Sequence, residues 1–293
     1  MSAAPLRGGG TLPALAVGLN AMIWGLSWWP FRELQQRGLH PLWATVLIYA
    51  VAVVAITAWR PQAWGQLWRT RSLWWLVLAS GTTNATFNWG ITVGDVVRVV
   101  LLFYLMPVWT VLLARTLLNE HLGPGALLRV AMALTGAIVV LWPSDGGLPL
   151  PRSLPEWLGV LGGFTFALNN VMLKREAHRP EAARALAMFV GSVLVAGLLA
   201  LSLTLGGSVP APPALATGWV AGGLAMGAAF LVCNLALQYG AARLPANVTS
   251  VVMITEVLFA AGSAVLLGAG TVTPALALGG GLIVAAAVLA ARD

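Results

Sequence analysis

Long apolar stretches, each cut off by glycine, proline or charge, follow one another through this sequence and leave no segment that could build a water-soluble core. Each has roughly the 20 residues that a helix needs to cross a hydrocarbon layer. Read from those boundaries they cover about 12–30, 41–59, 72–93, 96–118, 124–142, 155–174, 184–205, 214–239, 245–268 and 273–291. Only 9% of the 293 residues are charged while 59% are apolar. Soluble domains carry about 25% charged residues, so the polar surface of a water-soluble particle is missing. The expected fold is an all-α polytopic membrane protein with ten transmembrane helices, and a large soluble domain is excluded.

The net charge of +7 does not indicate nucleic-acid binding. Its cations are scattered through short loops, with neither the stripe nor the aromatic-interleaved patch such binding needs. They do orient the chain. Ten helices put both ends on one side, and that side collects twelve cations against four (Arg32, Arg37, Arg98 and Arg152) on the other. The positive-inside rule then makes both termini cytoplasmic. The first residues lack a cleavage-site pattern, so the first span is expected to be retained. One lysine, Lys174, stands against fifteen arginines, which with abundant Ala and Gly suits a GC-rich bacterial genome and an inner-membrane location. Cys233 is the single cysteine and has no partner for an internal disulfide.

The sequence also reads as a duplication. Leu78-Ala79-Ser80-Gly81 falls on Leu224-Ala225-Met226-Gly227, and in the same register Asn88 falls on Asn234 and Gly94 on Gly240. Leu117-Leu118 falls on Leu266-Leu267, and Leu26 on Leu168. The expected halves are 1–147 and 148–293, with five helices each. An odd number of helices inverts the second half relative to the first, as in many secondary transporters whose site lies near the midplane.

A carrier needs polar groups facing a cavity, because unpaired polar atoms in lipid are costly. Gly81, Asn84, Ala85 and Asn88 share one helical face through spacings of three, four and seven. Span eight repeats the arrangement with Gly227, Phe230, Asn234 and Gln238. Span six offers Phe166, Asn169 and Asn170, and span one presents Asn20, Trp24 and Trp28 along a stripe beside Ser27. Tyr104 sits near Pro107, whose missing N–H would free a carbonyl for a ligand. Glu256 lies deep within a span, where an acid by default faces protein or water. It could meet a substrate ammonium or carry a proton, or else bond to Thr255 or a neighbouring carbonyl.

Phe103-Tyr104-Leu105-Met106-Pro107-Val108-Trp109-Thr110, followed by Asn119-Glu120 and Gly123, resembles the first-half signature of EamA-type carriers of the drug/metabolite transporter superfamily. The Tyr-Leu-x-Pro core is most similar to the YddG-type amino-acid exporters. The resemblance implies ten helices in two inverted five-helix repeats, cytoplasmic termini, a central cavity and no cofactor. Such carriers tend to have proline where this chain has Glu256. Where aromatic exporters place bulky rings, it has Gly81, Ala85 and Met106. A roomier pocket and a preference for polar or aliphatic amino acids are therefore expected.

The expected substrate-binding set is Trp24, Gly81, Asn84, Ala85, Asn88, Tyr104, Met106, Phe166, Asn169, Asn234 and Glu256. The expected function is export of amino acids or related small metabolites by alternating access. The partners are a small-molecule substrate and the bilayer, with no nucleic acid, and the oligomeric state is left open, a monomer being one option. Alternatives are a carrier for a cationic drug or a nucleotide-sugar-like metabolite, or a non-transporting scaffold. A phosphate ligand would lack a mid-span Lys or Arg. An intramembrane enzyme would lack a catalytic pair, because His40, His121 and His178 fall in loops. No metal cluster and no ATP-binding motif is read.

Overall fold

The computed structural model describes residues 11–119, 124–142, 150–241, 243 and 246–290. Among these residues it is all helix, with no strand. The thirteen helices are α1 (Thr11–Leu26), α2 (Trp28–Gln36), α3 (Pro41–Trp59), α4 (Gln62–Arg69), α5 (Leu73–Val93), α6 (Val96–Phe103), α7 (Met106–Leu118), α8 (Pro124–Leu141), α9 (Leu154–Arg175), α10 (Glu181–Leu205), α11 (Thr217–Ala241), α12 (Ala246–Leu266) and α13 (Pro274–Ala290).

Five stretches are long and apolar enough to cross a membrane: Thr11–Gln36, Pro41–Trp59, Val96–Leu118, Glu181–Leu205 and Gly218–Leu237. Three shorter apolar helices lie within α8, α12 and α13. α5 is long enough but carries Asn, Thr and Gly. It buries fourteen of its twenty-one residues, because α3, α6, α9 and α10 surround it. A helix enclosed by protein tolerates polarity that a lipid-facing one does not.

Three features differ from the sequence expectation. The first span runs on to Gln36 and breaks at Ser27, whose N–H and hydroxyl both donate to the Trp24 carbonyl (3.1 and 2.7 Å). The fourth span divides into α6 and α7 around Tyr104 and Leu105. Pro107 has no N–H to offer the Phe103 carbonyl one turn earlier. That carbonyl lies against Gly163 of α9, where a β-carbon would collide with it. The freed group thus serves a close helix contact and does not face open space. Finally, the loop at 60–71 contains the short helix α4, whose Ala63 and Leu67 are buried against α5 and α10.

Local chemistry sets the ends. Asp95, in extended conformation, caps α6 by accepting from the Arg98 N–H at 2.9 Å. The His40 Nδ1 accepts from the Leu42 N–H at 3.3 Å, and Pro41 occupies the first turn of α3 where no N–H is required. Gly38, Gly207 and Gly268 turn the chain at positive φ. Inside the helices, Thr45, Thr57, Thr83, Thr86 and Thr165 each bond back to the carbonyl four residues earlier. Their hydroxyls are thereby satisfied without water.

Four apolar clusters form the interior, two of them large. One large cluster joins α2, α5, α6, α7, α8, α12 and α13, and the other joins α2, α3, α10 and α11. Trp24 of α1 packs against both. The principal packing pairs are α5 with α9 and α10, α11 with α1 and α3, α1 with α12, α9 with α6 and α7, α3 with α10, α6 with α12, and α8 with α13.

Candidate functional site

The break at Ser27 separates Trp24 and Trp28 by one helical turn, and the adjacent Gly25 fixes what they face. A β-carbon on Gly25 would meet the Glu256 carbonyl at 2.7 Å and the Ala260 nitrogen at 3.0 Å, so only glycine lets α1 lie this close to α12. The approach brings Glu256 beside the two tryptophans. Trp24, Gly25, Trp28, Phe87, Ile91, Val96, Val100, Glu256 and Ala260 line a crevice too narrow in this conformation for a water molecule.

Glu256 is 8% exposed and is the sole titratable group in that lining. The Tyr104 hydroxyl donates to its Oε2 at 3.4 Å. The neighbouring Thr255 hydroxyl instead donates to the Val252 carbonyl at 2.6 Å, so it does not hold the carboxyl. Aromatic rings lead away from this point in both directions. Trp24 meets Phe230 edge-on at 4.5 Å and Phe87 at 6.4 Å, and Phe87 continues to Phe103 at 4.6 Å and then to Phe166 at 5.2 Å. On the other side Phe230 lies 5.9 Å from Tyr49.

Tyr49 opens a second polar node. Its hydroxyl donates to the Asn84 Oδ1 at 2.9 Å, and the Asn84 amide donates to Ser192 at 2.7 Å and to Ser80 at 3.4 Å. Asn84 thus ties α3, α5 and α10 together. One turn on, the fully buried Asn88 donates to Thr45 at 3.1 Å while its Oδ1 has no partner. Asn20 is equally buried, donating to the Cys233 carbonyl at 3.0 Å and leaving its own Oδ1 unpaired.

The expected site residues therefore divide. Trp24 and Glu256 line the crevice, and Tyr104 contacts the carboxyl. Met106 and Phe166 pack, half-buried, on the cluster beside it. Asn84 and Asn88 form the separate α3–α5–α10 node. The half-buried Asn234 turns its amide to the Phe230 carbonyl of its own helix, and Asn169 is buried with an unpartnered Oδ1. Gly81 and Ala85 do not open a roomier pocket. A β-carbon on Gly81 would strike the Gly191 backbone, and Ala85 is enclosed with Leu42, Ala196 and Ala200. Both positions are taken up by helix α10, and the rings lining the crevice come from Trp24, Trp28 and Phe87 instead. Gln238 and Pro107 lie on helices whose side chains at those positions fall outside the described residues, as do Glu120 and His121.

Sequence reasoning left Trp28, Phe87, Tyr49 and Ser192 outside its expected set. Trp28 shared a stripe with Trp24, and Tyr49 is the one hydroxyl-bearing ring in an otherwise apolar span, so each carried a usable signal. Phe87 and Ser192 carried none. Outside the crevice, the Arg32 guanidinium donates to the Thr92 carbonyl at 3.0 Å and to the Ile91 carbonyl at 3.4 Å. It also stands 5.0 Å from the Trp28 ring. Arg98 of α6 pairs with Glu156 of α9 at 2.7 Å.

With the geometry described, comparison with known proteins adds a family. Residues 11–142, which hold α1 to α8 and therefore Trp24, Asn84, Asn88 and Tyr104, match the EamA-like transporter family. The match covers less than half of the chain, and the family it names is one of transporters. No curated protein matches the chain. Twelve chains of solved structures do. One, described only as the crystal structure of a protein, covers 94% of this chain and 96% of its own, with a TM-score of 0.56 and 18% identity. At that identity the likeness is one of fold. It extends through both halves, whereas the EamA-like match stops at the end of α8.

Proposed function

We propose that this protein is a secondary transporter that exports amino acids or related small metabolites across the bacterial inner membrane by alternating access. The observation that carries the reading is the position of Glu256: a lone carboxyl in a ring-lined crevice between α1, α5, α6 and α12. A carboxylate facing Trp24, Trp28 and Phe87 suits a ligand with an ammonium group and an apolar body. No Lys or Arg lines the crevice to meet a phosphate.

The reading includes ten crossings arranged as two inverted halves, 1–147 and 148–293. Exchanging α1–α2 with α9, α3 with α10, α5 with α11, α6–α7 with α12 and α8 with α13 returns the principal packing pairs unchanged. The glycines agree. Gly94 lies against Pro155 at the start of α9, and its counterpart Gly240 lies against Pro13 at the start of α1. The shift that places Leu26 on Leu168 also places Pro13 on Pro155. Gly81 meets α10, and its counterpart Gly227 meets Ile48 and Val51 of α3. Inverted halves of this kind supply two alternate accesses to one site. The excess of cations on the side of the 60–71 loop supports cytoplasmic termini.

Counterflow in proteoliposomes tests the function. Vesicles loaded with one unlabelled amino acid should accumulate that amino acid in labelled form, across a panel that includes apolar and polar side chains. N-acetylation, which removes the ammonium, should abolish uptake. Absence of counterflow for every amino acid would discard the amino-acid reading. Equal uptake of acetylated and free forms would discard Glu256 as the ammonium partner.

A further inference from the structure

We propose that the basic, tryptophan-rich end formed by residues 59–75 is a docking surface for acidic phospholipid headgroups. Arg60, Arg69 and Arg71 are all exposed there, and the sequence has no acid between 59 and 75. Trp59, Trp68 and Trp75 are exposed on the same segment, at 72, 65 and 55%. The segment is held in place, because Ala63 and Leu67 are buried with residues of α5 and α10 and the Trp64 indole donates to Thr57 at 2.9 Å. α4 therefore presents its cations and rings from a fixed base.

The neighbouring segment does not neutralise them. Residues 174–184, which pack beside α4, add four cations and two acids. Of those acids, Glu176 is buried and engaged with Arg179 at 3.5 Å. The charge calls for an anionic partner, and the rings specify which one. Exposed tryptophans at the end of membrane helices sit at headgroup level, where basic juxtamembrane residues attract acidic lipids. A soluble anion would satisfy the arginines and leave three indoles in water. An acidic phospholipid engages both, with its phosphate at the guanidinium groups and its glycerol and upper acyl region at the rings. The Arg60 guanidinium already lies over the Trp59 ring at 5.5 Å, which holds the cation at that boundary.

The protein purified in neutral detergent is titrated with phosphatidylglycerol or with phosphatidylcholine of the same chains, and retained lipids are counted by native mass spectrometry. Phosphatidylglycerol should be retained about tenfold more readily. The preference should disappear in the variant Arg60→Gln/Arg69→Gln/Arg71→Gln and at about 1 M salt, where charges are screened within roughly 3 Å. The corresponding triple lysine variant should keep it, which separates charge from any folding defect in the glutamine variant. Equal retention of the two lipids by the wild type, or an undiminished preference in a folded glutamine variant, would overturn the proposal. So would displacement of the lipid by millimolar inorganic phosphate, which would assign the surface to a free anion.

Discussion

Glu256 and Asn84 are both polar groups inside an apolar chain, and their surroundings give them opposite roles. Asn84 bonds Tyr49 and Ser192 on two other helices, so replacing it with alanine leaves the Tyr49 hydroxyl and Ser192 without their shared amide. A buried group stranded in this way costs roughly 1–3 kcal/mol. Asn84→Ala should therefore lower the melting midpoint measurably. Glu256 has one long hydrogen bond, so Glu256→Gln keeps shape and one donor–acceptor pair and should melt close to wild type. Its effect should fall on transport: the pH profile of flux should change because the titratable proton is gone. Thermal melts and flux on the same preparations check both. If Glu256→Gln destabilised as much as Asn84→Ala while flux kept its pH profile, the carboxyl would belong to helix packing.

At the level of elements, the sequence showed most of the helices because their ends carry glycine, proline or charge. α3, α8 and α10 to α13 begin and end within a few residues of where those signals fall. Pro107 had marked the break at Tyr104, whereas the break at Ser27 carried no such signal and α4 was hidden because its eight residues resemble a polar loop. The shared face of Gly81, Asn84, Ala85 and Asn88 was legible, yet what it faces was not. Periodicity fixes which residues lie together on a helix, whereas the partner is chosen by backbone approach, here the meeting of Gly81 with Gly191. Glu256 was conspicuous as a deep acid, but its ring-lined surroundings arise from helices far apart in sequence.

The start of α3 offers a test at the same level. The His40 Nδ1 can accept the Leu42 N–H only as neutral imidazole, and partial burial holds its pKa below the usual histidine value. A depressed folded pKa means a contribution that is full above the unfolded value of about 6.5 and is lost as pH falls through the folded value. His40→Asn, which retains a capping oxygen without a titrating group, should flatten the fall in melting midpoint over that acidic range. An unchanged slope would remove His40 as its source.

For the whole molecule, the two largest apolar clusters meet at Trp24, and the crevice at Glu256 lies inside one of them, lined by its Trp28, Phe87, Ile91, Val96, Val100 and Ala260. An alternating-access carrier would have to part the walls of the crevice within that cluster, first toward one face of the membrane and then toward the other. Ala260 lines the crevice and is 2% exposed, so a cysteine placed there reports its opening. In a Cys233→Ser background, Ala260→Cys should react with a membrane-impermeant maleimide in right-side-out vesicles and in inside-out vesicles alike. A transported amino acid should change both rates. Labelling from one side alone under every condition, or from neither, would contradict a single site that opens in turn to each face of the membrane.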